Sequence, residues 1–438
     1  MHNLQTESDL ALRKRLLPSA YRQQNELVVV SASGAHVTDV RSRSYLDFTS
    51  GFGVTTVGHN HPAVVSAITE QARRLVHSGP VMVHDQYLSL AAALTSLRPG
   101  SGDSQVLLTS SGGEAVEHAV KIARYATGRP AIISFERAYH GRTMLTSSLS
   151  GKSVPYKMQP GAMAPDVYVA PFPHSYRPPR GVAESDVAEY CLGALRRVVD
   201  HQVAPGKLAA ILLEPIQGEG GCIVPPNGFL REVQRIAHEL GAILVVDEVL
   251  TGFGRTGTLF ASQHESVSPD ILIFGKTIGG GLPLGGILCD RELFERVAPG
   301  DIGGTYGGNP LACAAGLQVL AIVRDEAFLA RARRIEAQIK MRLAHLVDDV
   351  PGIGDVRGRG AMFAVEIVED STGDPDPARA RLIVDRCRAE GLVLVRTGDR
   401  GHVLRLLVPV LISDSDLDEG LGILADCIAY TLGRTQLG

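Results

Sequence analysis

The sequence contains no tryptophan, and only six of its 438 residues are cysteines. The cysteines are widely spaced and form no CxxC pair, which argues against a disulfide framework and against a thiolate zinc site. No stretch approaches the roughly 20 apolar residues of a membrane-spanning helix. The first 16 residues carry five charged side chains instead of the apolar segment of a secretory signal. The sequence therefore predicts a cytoplasmic protein.

A strong excess of one charge is also missing. The chain has 43 Lys and Arg against 47 Asp and Glu, and its basic residues form no stripe. A role at nucleic acid or at a membrane surface therefore has no electrostatic support. Apolar residues make up 45% and charged residues 21% of the sequence, which is ordinary for a globular protein and excludes general disorder. At roughly 100–200 residues per domain, we expect a soluble enzyme of two or three lobes.

The middle of the chain repeats a short apolar run, a turn and an amphipathic stretch. Near-continuous runs of Val, Ile and Leu are typical of strands buried on both faces of a mostly parallel sheet. Helical spacing follows several runs, as in Glu114–Ala126 and from about Phe229 to Leu240. This alternation predicts a large α/β domain with a mostly parallel seven-stranded sheet. The seven runs are Val106–Thr109, Ala131–Phe135, Val167–Ala170, Leu208–Leu213, Ala242–Val246, Ile271–Phe274 and Gly286–Cys289.

The two ends of the chain have a different pattern. We expect them to join into a second, smaller α+β domain, formed by residues 1–60 and 324–438, beside a large domain of residues 61–323. The N-terminal extended segments are Glu26–Ser31, His36–Asp39 and Tyr45–Phe48, and the C-terminal elements are the helices Ala327–Leu346 and Pro377–Glu390 and the strand Val403–Leu407.

Side chains that could take part in catalysis stand at the ends of two predicted strands. Asp247 and Glu248 follow a buried apolar strand, and a buried carboxylate needs a cationic or hydrogen-bonding partner. A carboxylate that caps the next helix is an equally good explanation. Lys276 follows the next strand and is surrounded by glycines, so desolvation there can lower its pKa and allow it to form a Schiff base. The alternative is an ordinary lysine that extends its amine to solvent.

Two familiar nucleotide-binding motifs fail here. A P-loop that ends in Gly275-Lys276-Thr277 would need glycine at position 270, where this chain has Asp270. Residues 252–257 match G-x-G-x-x-G, but they open no clear helix, and the next strand ends at Lys276 instead of the acid that binds a ribose. We therefore do not expect a dinucleotide-binding fold.

Two further segments offer ligand-binding groups. Gly112 and Gly113 lie between a strand and a helix, where their amides could hold a phosphate, although a plain turn explains them equally well. Tyr139 could stack on a planar ring and Arg142 could bind a carboxylate, although a solvated surface turn is the alternative. No metal site is expected, since the histidine pair at 59 and 61 has no third ligand nearby.

Taken together, these parts are those that pyridoxal 5′-phosphate (PLP) needs. From about Val37 to Val410 the sequence resembles the class-III, fold-type-I aminotransferases, the family of 4-aminobutyrate, ornithine and acetylornithine transaminases. The motifs that carry the resemblance are Ser111-Gly112-Gly113-Glu114-Ala115, Tyr139-His140-Gly141-Arg142-Thr143, Glu214-Pro215-Ile216-Gln217-Gly218-Glu219-Gly220, Asp247-Glu248-Val249, Thr251-Gly252-Phe253-Gly254-Arg255-Thr256-Gly257, Phe274-Gly275-Lys276 and Gly304-Thr305-Tyr306.

The resemblance implies a role for each cofactor-binding residue. Lys276 would hold PLP as a Schiff base and then move the proton during catalysis. Asp247 would pair with the pyridine nitrogen, so that the ring acts as an electron sink. Tyr139 and Val249 would pack against the two faces of the ring. Gly112 and Gly113 would bind the phosphate with help from Thr305 of the neighbouring subunit, which implies a homodimer with a shared active site.

The resemblance also implies how substrates bind. Arg405 would hold the α-carboxylate of glutamate or 2-oxoglutarate, and Glu219 would pair with Arg405 when the donor has no α-carboxylate. Arg142 would bind the distal carboxylate, and Phe52 would lie against the substrate. The expected reaction is transfer of an amino group from an ω-amino acid such as 4-aminobutyrate to 2-oxoglutarate by a ping-pong mechanism. The alternative for Glu219 and Arg405 is a permanent structural ion pair.

The sequence departs from the family pattern in places. Leu250 stands where the family usually has a glutamine that hydrogen-bonds the cofactor, and the loop after Lys276 is more similar to that of the aminomutases. A PLP-dependent racemase, epimerase or aminomutase on the same fold is therefore the alternative function. These enzymes release no keto product, so a requirement for an amino acceptor distinguishes them from a transaminase. A third hypothesis, a PLP-binding regulatory protein, is disfavoured by the intact Lys276, Asp247 and Thr305.

Overall fold

The computed structural model describes residues 8–21, 23–100, 102–343 and 345–433, and all elements named below lie within these ranges. The strands are β1 (Val29–Ser33), β2 (His36–Asp39), β3 (Ser44–Asp47), β4 (Ser104–Thr109), β5 (Ala131–Phe135), β6 (Val167–Ala170), β7 (Leu208–Leu213), β8 (Ile243–Asp247), β9 (Ile271–Phe274), β10 (Gly285–Asp290), β11 (Ile353–Arg359), β12 (Met362–Ile367), β13 (Leu392–Val393), β14 (Val395–Thr397) and β15 (Val403–Leu407). The α-helices are α1 (Ser8–Leu16), α2 (Ser50–Gly53), α3 (Pro62–Arg74), α4 (Asp85–Thr95), α5 (Gly112–Thr127), α6 (Met144–Leu149), α7 (Val187–His201), α8 (Phe229–Glu239), α9 (Arg291–Glu295), α10 (Pro310–Val323), α11 (Glu326–Leu343), α12 (Leu346–Asp349), α13 (Pro377–Glu390) and α14 (Asp414–Thr431).

The central sheet has seven strands in the order β4-β10-β9-β8-β7-β5-β6. β10 runs antiparallel to both of its neighbours, and all other pairs are parallel. Every residue of β5, β7 and β9 is buried, as expected for strands that helices cover on both faces. The predicted α/β class and the mostly parallel seven-stranded sheet are confirmed, and each predicted apolar run became one of its strands.

The starts of the helices depend on caps that the apolar pattern does not show. The helix predicted over Glu114–Ala126 begins at Gly112, because the hydroxyl of Ser111 accepts a hydrogen bond from the amide of Glu114 at 3.2 Å. It ends at Gly128, whose left-handed φ of 65° closes the last turn. Two glycines therefore form the first turn of α5, and they bring its backbone amides to the edge of the sheet.

One edge of the central sheet collects the residues singled out in the sequence. Parallel strands end on the same side, so the segments that follow β5, β7, β8 and β9 meet there. β10 lies between β4 and β9 and is antiparallel to both. β4 therefore runs in the same direction as β9 and also ends on this side. The segments that carry Gly112, Tyr139, Glu214 and Lys276 therefore come together with Asp247, although they lie far apart in the sequence.

The two ends of the chain contribute to the same small sheet. In the order β1-β2-β3-β13, the N-terminal strand β3 pairs in parallel with the C-terminal strand β13. A second antiparallel sheet has the order β11-β12-β15-β14, with β15 at residues 403–407 as predicted. The division into residues 1–60, 61–323 and 324–438 stays a prediction, and its terminal portions 1–7 and 434–438 lie outside the described residues.

The glycine-rich segment at 252–257 surrounds a fully buried arginine. The guanidinium of Arg255 donates hydrogen bonds to the hydroxyl of Thr56 at 2.7 Å and to the carbonyls of Val408 at 2.5 Å and Ala361 at 3.3 Å. Burial lowers the pKa of Arg255 to about 9. The segment therefore links the central sheet to the two ends of the chain.

A buried ion cluster makes a second link between these parts. Glu366 on β12 accepts hydrogen bonds from Arg357 at 2.6 Å and from Arg177, which follows β6, and its carboxylate lies 3.2 Å from His402. Burial alone would raise the pKa of Glu366, but the hydrogen bond with His402 and the charges of Arg357 and Arg177 hold it well below its ordinary value. Glu366 is therefore ionised in the folded protein at all but very low pH.

No helix in the described ranges is long and apolar enough to cross a bilayer. The six cysteines, all of which are described, are buried and unpaired. They are Cys191, Cys222, Cys289, Cys313, Cys387 and Cys427.

Replacing Glu366 by glutamine should lower stability and change how stability depends on pH. The carboxylate contributes stability above the unfolded pKa of about 4.3, and this contribution is lost as pH falls toward the depressed folded pKa. At pH 7, Glu366→Gln should cost about 3–5 kcal/mol, because it removes the buried charge that compensates the partly buried Arg357 and Arg177. Below about pH 4.3 the difference from the wild type should shrink. Urea unfolding followed by circular dichroism at several pH values measures both effects.

The matched control is the exposed Glu419 on α14. Its substitution by glutamine should change the free energy of unfolding by less than about 0.5 kcal/mol. Parallel loss of stability with acid in the wild type and in Glu366→Gln would show that the cluster does not carry the pH dependence.

Candidate active site

A cavity of about 390 Å³ opens at the edge of the central sheet where the parallel strands end. This volume lies within the range of small-molecule and cofactor sites. The predicted site residues that line it are Gly112, Gly113, Tyr139, Glu219, Asp247, Val249 and Lys276.

Lys276 lies directly after β9 in a strained backbone conformation. Its φ of 49° is left-handed, which costs a residue with a side chain about 1–2 kcal/mol. Burial lowers the pKa of Lys276 to about 8; the charge of Arg405 adds to this, whereas Glu219, Glu214 and Asp247 oppose it. The amine therefore exchanges its proton near neutral pH, as a nucleophile or a general base requires.

The two carboxylates at the end of β8, Asp247 and Glu248, have different surroundings. Asp247 lines the cavity, and its Oδ2 lies 2.8 Å from Nδ1 of His140 while its Oδ1 accepts the amide of Val249 at 3.0 Å. Glu248 accepts the amides of Ala261 at 3.0 Å and Ser262 at 2.8 Å and so caps a short 3-10 helix. Successive strand residues point to opposite faces, so one acid serves the cavity and the other has the structural role considered as an alternative.

The first turn of α5 forms a cup on the cavity wall. As the first two residues of a helix, Gly112 and Gly113 have amides without an acceptor inside the helix, and both line the cavity. A Cβ at position 112 would lie 2.8 Å from Cγ2 of Val249, so the close packing of these two residues requires glycine. Uncompensated amides at a helix N-terminus are suited to an anion such as a phosphate.

Glu219 and Arg405 form an ion pair beside the cavity. Nη1 of Arg405, on β15, donates to Oε1 of Glu219 at 2.5 Å, and the arginine side chain is only 2% exposed. Burial would raise the pKa of Glu219, but the charge and hydrogen bond of Arg405 lower it below its ordinary value. The ring of Phe52 lies 5.5 Å from the guanidinium carbon of Arg405. The structure therefore brings Phe52, Glu219 and Arg405 together.

Arg142 lies at the outer side of the same site. It is exposed, and its guanidinium carbon lies 5.3 Å from the ring centre of Tyr156. The ring of Tyr156 in turn contacts that of Tyr139, with 5.0 Å between the ring centres. Nothing in the local sequence around Tyr156 indicated a site residue, because its contacts are with two other segments of the chain, at 139–142 and at Glu219.

Thr305 lies apart from the other predicted residues. It lines a second cavity of about 310 Å³, formed with the segment 77–87, and it is not among the described residues that line the cavity of Lys276. Apolar side chains near this second cavity are exposed, with Val81 at 84% and Tyr306 at 65%.

Two titratable side chains at the site, one acidic and one basic, had no predicted role. Glu214, after β7, accepts the amides of Tyr139 and Gly218 at 2.9 Å each, and burial together with the charge of Asp247 raises its pKa to about 7. His140 is buried against Asp247, and its Nε2 has no hydrogen-bond partner within the described part of the chain. Both belong to motifs singled out in the sequence, but their roles depend on contacts between segments more than 70 residues apart.

Leu250 closes the inner wall of the cavity. It is buried and fills the space beside two glycines: a Cβ at Gly53 would lie 2.5 Å from its Cδ1, and a Cβ at Gly218 would lie 2.2 Å from its Cδ2. Its side chain presents only methyl groups where a glutamine would present a hydrogen-bonding amide.

The sequence is similar to known aminotransferases along nearly its whole length. The family model for class-III aminotransferases matches residues 19–428. The chain is 41% identical over 414 residues to a probable 4-aminobutyrate aminotransferase of Bacillus subtilis, which covers 94% of this chain and 95% of the relative. It is 39% identical to the 5-aminovalerate aminotransferase of Pseudomonas putida, with 97% and 98% covered. It is 40% identical to the 4-aminobutyrate aminotransferase of Escherichia coli, with 95% and 96% covered.

Solved structures have the same architecture. An (S)-enantioselective omega-transaminase from Thermomicrobium roseum superimposes with a TM-score of 0.90 at 31% identity, covering 98% of this chain and 100% of the other. A PLP-bound amine transaminase from an uncultivated Pseudomonas species gives a TM-score of 0.87 at 30% identity, with 95% and 98% covered. A taurine:2-oxoglutarate aminotransferase from Bifidobacterium kashiwanohense, in complex with PLP and glutamate, gives 0.91 at 28% identity, with 98% and 99% covered.

The lowered pKa of Lys276 predicts unusual reactivity in the protein freed of cofactor. At pH 8 about half of its amine should be neutral, against well under ~1% for a lysine with the ordinary pKa of about 10.4. Acetylation of Lys276, followed by mass spectrometry at a series of pH values, should rise with a midpoint near pH 8. The exposed Lys207 is the internal control for the labelling reaction. If labelling of Lys276 rises only near the ordinary lysine value of about 10.4, the desolvation described here is contradicted.

Proposed function

This chain belongs to the class-III aminotransferase family, and from that premise we propose that it transfers the amino group of an ω-amino acid such as 4-aminobutyrate to 2-oxoglutarate. The chain is an aminotransferase, since relatives about 40% identical over nearly their whole length have this activity. The observation that carries the choice of substrates is the pairing of Glu219 with Arg405 beside the cavity of Lys276.

The groups around the cavity fit the cofactor that the family implies. PLP supplies an electron sink that stabilises negative charge on the substrate carbon. Lys276 would attach it covalently, and the amides of Gly112 and Gly113 would hold its phosphate. Asp247, already oriented by His140 and by a backbone amide, offers an anionic partner for a protonated pyridine nitrogen. The unpartnered amides, the desolvated amine and the buried carboxylate support this proposal.

Lys276 is the group that would move protons. With a pKa of about 8, its Nζ is partly neutral at physiological pH, so it can take a proton from the substrate carbon and return it at another position. Glu214, Glu219 and Asp247 all raise the pKa of this amine, which keeps burial from lowering it further. The ring of Tyr139 and the side chain of Val249 would hold the planar cofactor between them. This would fix the face of the cofactor from which Lys276 acts.

The ion pair allows one site to bind two kinds of substrate. A donor such as 4-aminobutyrate has no α-carboxylate, so Arg405 would keep Glu219 as its partner. 2-Oxoglutarate brings an α-carboxylate, which would replace Glu219 on Arg405 in a bidentate contact. In both cases Arg142 would bind the distal carboxylate. The buried Arg405 would thus keep an anionic partner throughout the cycle, which offsets the cost of its desolvation.

The alternative chemistry is not favoured. The relatives described above are all named aminotransferases, and none is named a racemase, an epimerase or an aminomutase. Leu250 removes a hydrogen bond to the cofactor that the glutamine of the family pattern would supply, but it leaves Lys276, Asp247 and the ion pair intact. We therefore assign Leu250 an influence on the cofactor's protonation and no change in the reaction catalysed.

The location of Thr305 supports a homodimer with a shared site. Thr305 and the exposed Val81 and Tyr306 lie around a cavity that is separate from that of Lys276 in the same chain. Apolar side chains exposed to this degree favour an interface. A second copy that covers this surface would bring its Thr305 to the phosphate cup of the first. A cytoplasmic location also remains our proposal, and the six unpaired cysteines support it.

The first half-reaction, with an amino donor and no acceptor, tests the proposed function. Purified protein loaded with PLP and mixed with 4-aminobutyrate alone should lose the visible absorbance of the bound cofactor and gain that of the pyridoxamine form. Adding 2-oxoglutarate should restore the original spectrum and release glutamate. Lys276→Ala, the control, should show neither change because it lacks the amine that attaches the cofactor. An α-amino acid that loses its chirality while the spectrum is unchanged would contradict transamination and support the racemase alternative.

The shared site is tested with mixed dimers. A Lys276→Ala chain and a Thr305→Ala chain, carrying different tags, are co-expressed, and the dimer that carries both tags is purified. One of its two sites then has both Lys276 and the partner's threonine, so activity should return to about half of the wild-type value at limiting PLP. If Thr305 served the site of its own chain, neither site would be complete and the mixed dimer would be as inactive as its parents.

A further inference from the structure

A glutamate displaced from Arg405 needs a new partner. The proposed function, on which this inference rests, has the α-carboxylate of 2-oxoglutarate take the place of Glu219. Only 23% of the Glu219 side chain is exposed, so the displaced carboxylate stays close to protein. A partly buried carboxylate without a hydrogen-bond donor is poorly solvated, and this cost would oppose binding of the second substrate.

Tyr156 places a hydroxyl next to the oxygen of Glu219 that Arg405 does not hold. Its Oη lies 3.5 Å from Oε2 of Glu219, a long contact while Oε1 remains on Arg405. Tyr156 is only 9% exposed, and the ring of Tyr139 and the guanidinium of Arg142 pack on its ring. The hydroxyl is therefore fixed in place, and a small rotation of the released carboxylate would shorten the contact to an ordinary hydrogen bond.

Lys152 supplies a positive charge on the same side. Its Nζ donates to the carbonyl of Gly398 at 2.7 Å, and the amide of Gly398 donates to the carbonyl of Glu219 at 3.2 Å. An ammonium group has three hydrogens, so two remain for other acceptors. Burial lowers the pKa of Lys152, whereas the carboxylate of Glu219 is the largest influence that raises it. The ammonium of Lys152 therefore already senses the charge of Glu219.

The backbone of Glu219 stays in place while its side chain moves. The hydroxyl of Thr397, on β14, donates to its carbonyl at 2.8 Å, and the amide of Gly398 donates to the same carbonyl. β14 pairs with β15, which carries Arg405. Because the same two strands hold Arg405 and the main chain of Glu219, displacement needs only side-chain rotation.

We propose that Tyr156 and Lys152 form the receiving position for the Glu219 carboxylate when an α-carboxylate occupies Arg405. They are positioning residues for the second half-reaction, and they stabilise the form of the site that binds 2-oxoglutarate or glutamate. The form that binds an ω-amino acid keeps Glu219 on Arg405 and does not use the receiving position.

The test measures the two half-reactions separately by stopped-flow absorbance. Tyr156→Phe and Lys152→Gln should each lower kcat/KM for 2-oxoglutarate with the pyridoxamine form by about tenfold, the effect of losing one hydrogen bond to a charged group. The value for 4-aminobutyrate with the PLP form should change by less than about threefold. Lys157→Gln is the matched control, because Lys157 is a partly buried lysine five residues away whose lowered pKa comes from burial alone. It should leave both half-reactions unchanged.

A second measurement separates positioning from packing. In a Glu219→Gln background the neutral amide needs no charged receiver, so adding Tyr156→Phe or Lys152→Gln should have little further effect on the 2-oxoglutarate half-reaction. If the two substitutions slow both half-reactions equally, or act fully in the Glu219→Gln background, the receiving position is overturned. Failure of the proposed function looks different, because the wild-type protein itself would then not convert 4-aminobutyrate and 2-oxoglutarate.

Discussion

The ion pair between Glu219 and Arg405 is the interaction around which the site is organised. It joins the loop after β7 of the central sheet to β15 of the C-terminal sheet. The pair therefore links two distant parts of the chain as well as two opposite charges. The carboxylate of Glu219 compensates the charge of the buried Arg405, and we propose that the need to preserve this compensation makes the site selective. In the proposed function, a ligand without an α-carboxylate would leave the pair intact, and a ligand with an α-carboxylate would replace Glu219 on Arg405.

The rest of the site depends on where parallel strands end. Lys276, Asp247 and the amides of Gly112 and Gly113 come from three strand ends that the sheet aligns at one edge. Each group is then adjusted by its neighbours: burial makes the amine of Lys276 less basic, and His140 fixes the orientation of Asp247. The sheet therefore positions these groups at one edge, and the residues around them adjust their reactivity.

Much of this could be predicted from the sequence because the strands of a buried parallel sheet have a strong local signature. All seven apolar runs became strands, and the helix Pro377–Glu390 has the predicted bounds, since a proline starts it and Gly391 ends it. The start of α5 was missed by two residues because a serine cap is not part of an apolar pattern. Lys152 and Tyr156 could not be identified, because their contacts with Glu219 and Gly398 join segments separated by 60 to 250 residues.

The packing of Leu250 also limits how this sequence can evolve. Its methyl group Cδ2 occupies the space that a Cβ on Gly218 would need, so positions 218 and 250 accept substitutions only in a particular order. A larger residue at 218 becomes possible after position 250 has become smaller, and that first step by itself leaves a hole in the wall of the cavity. Gly53 must stay a glycine in either case, because its φ of 81° strains any residue with a side chain. Gly218 and Leu250 therefore form an epistatic pair, in which each residue limits the substitutions that the other accepts.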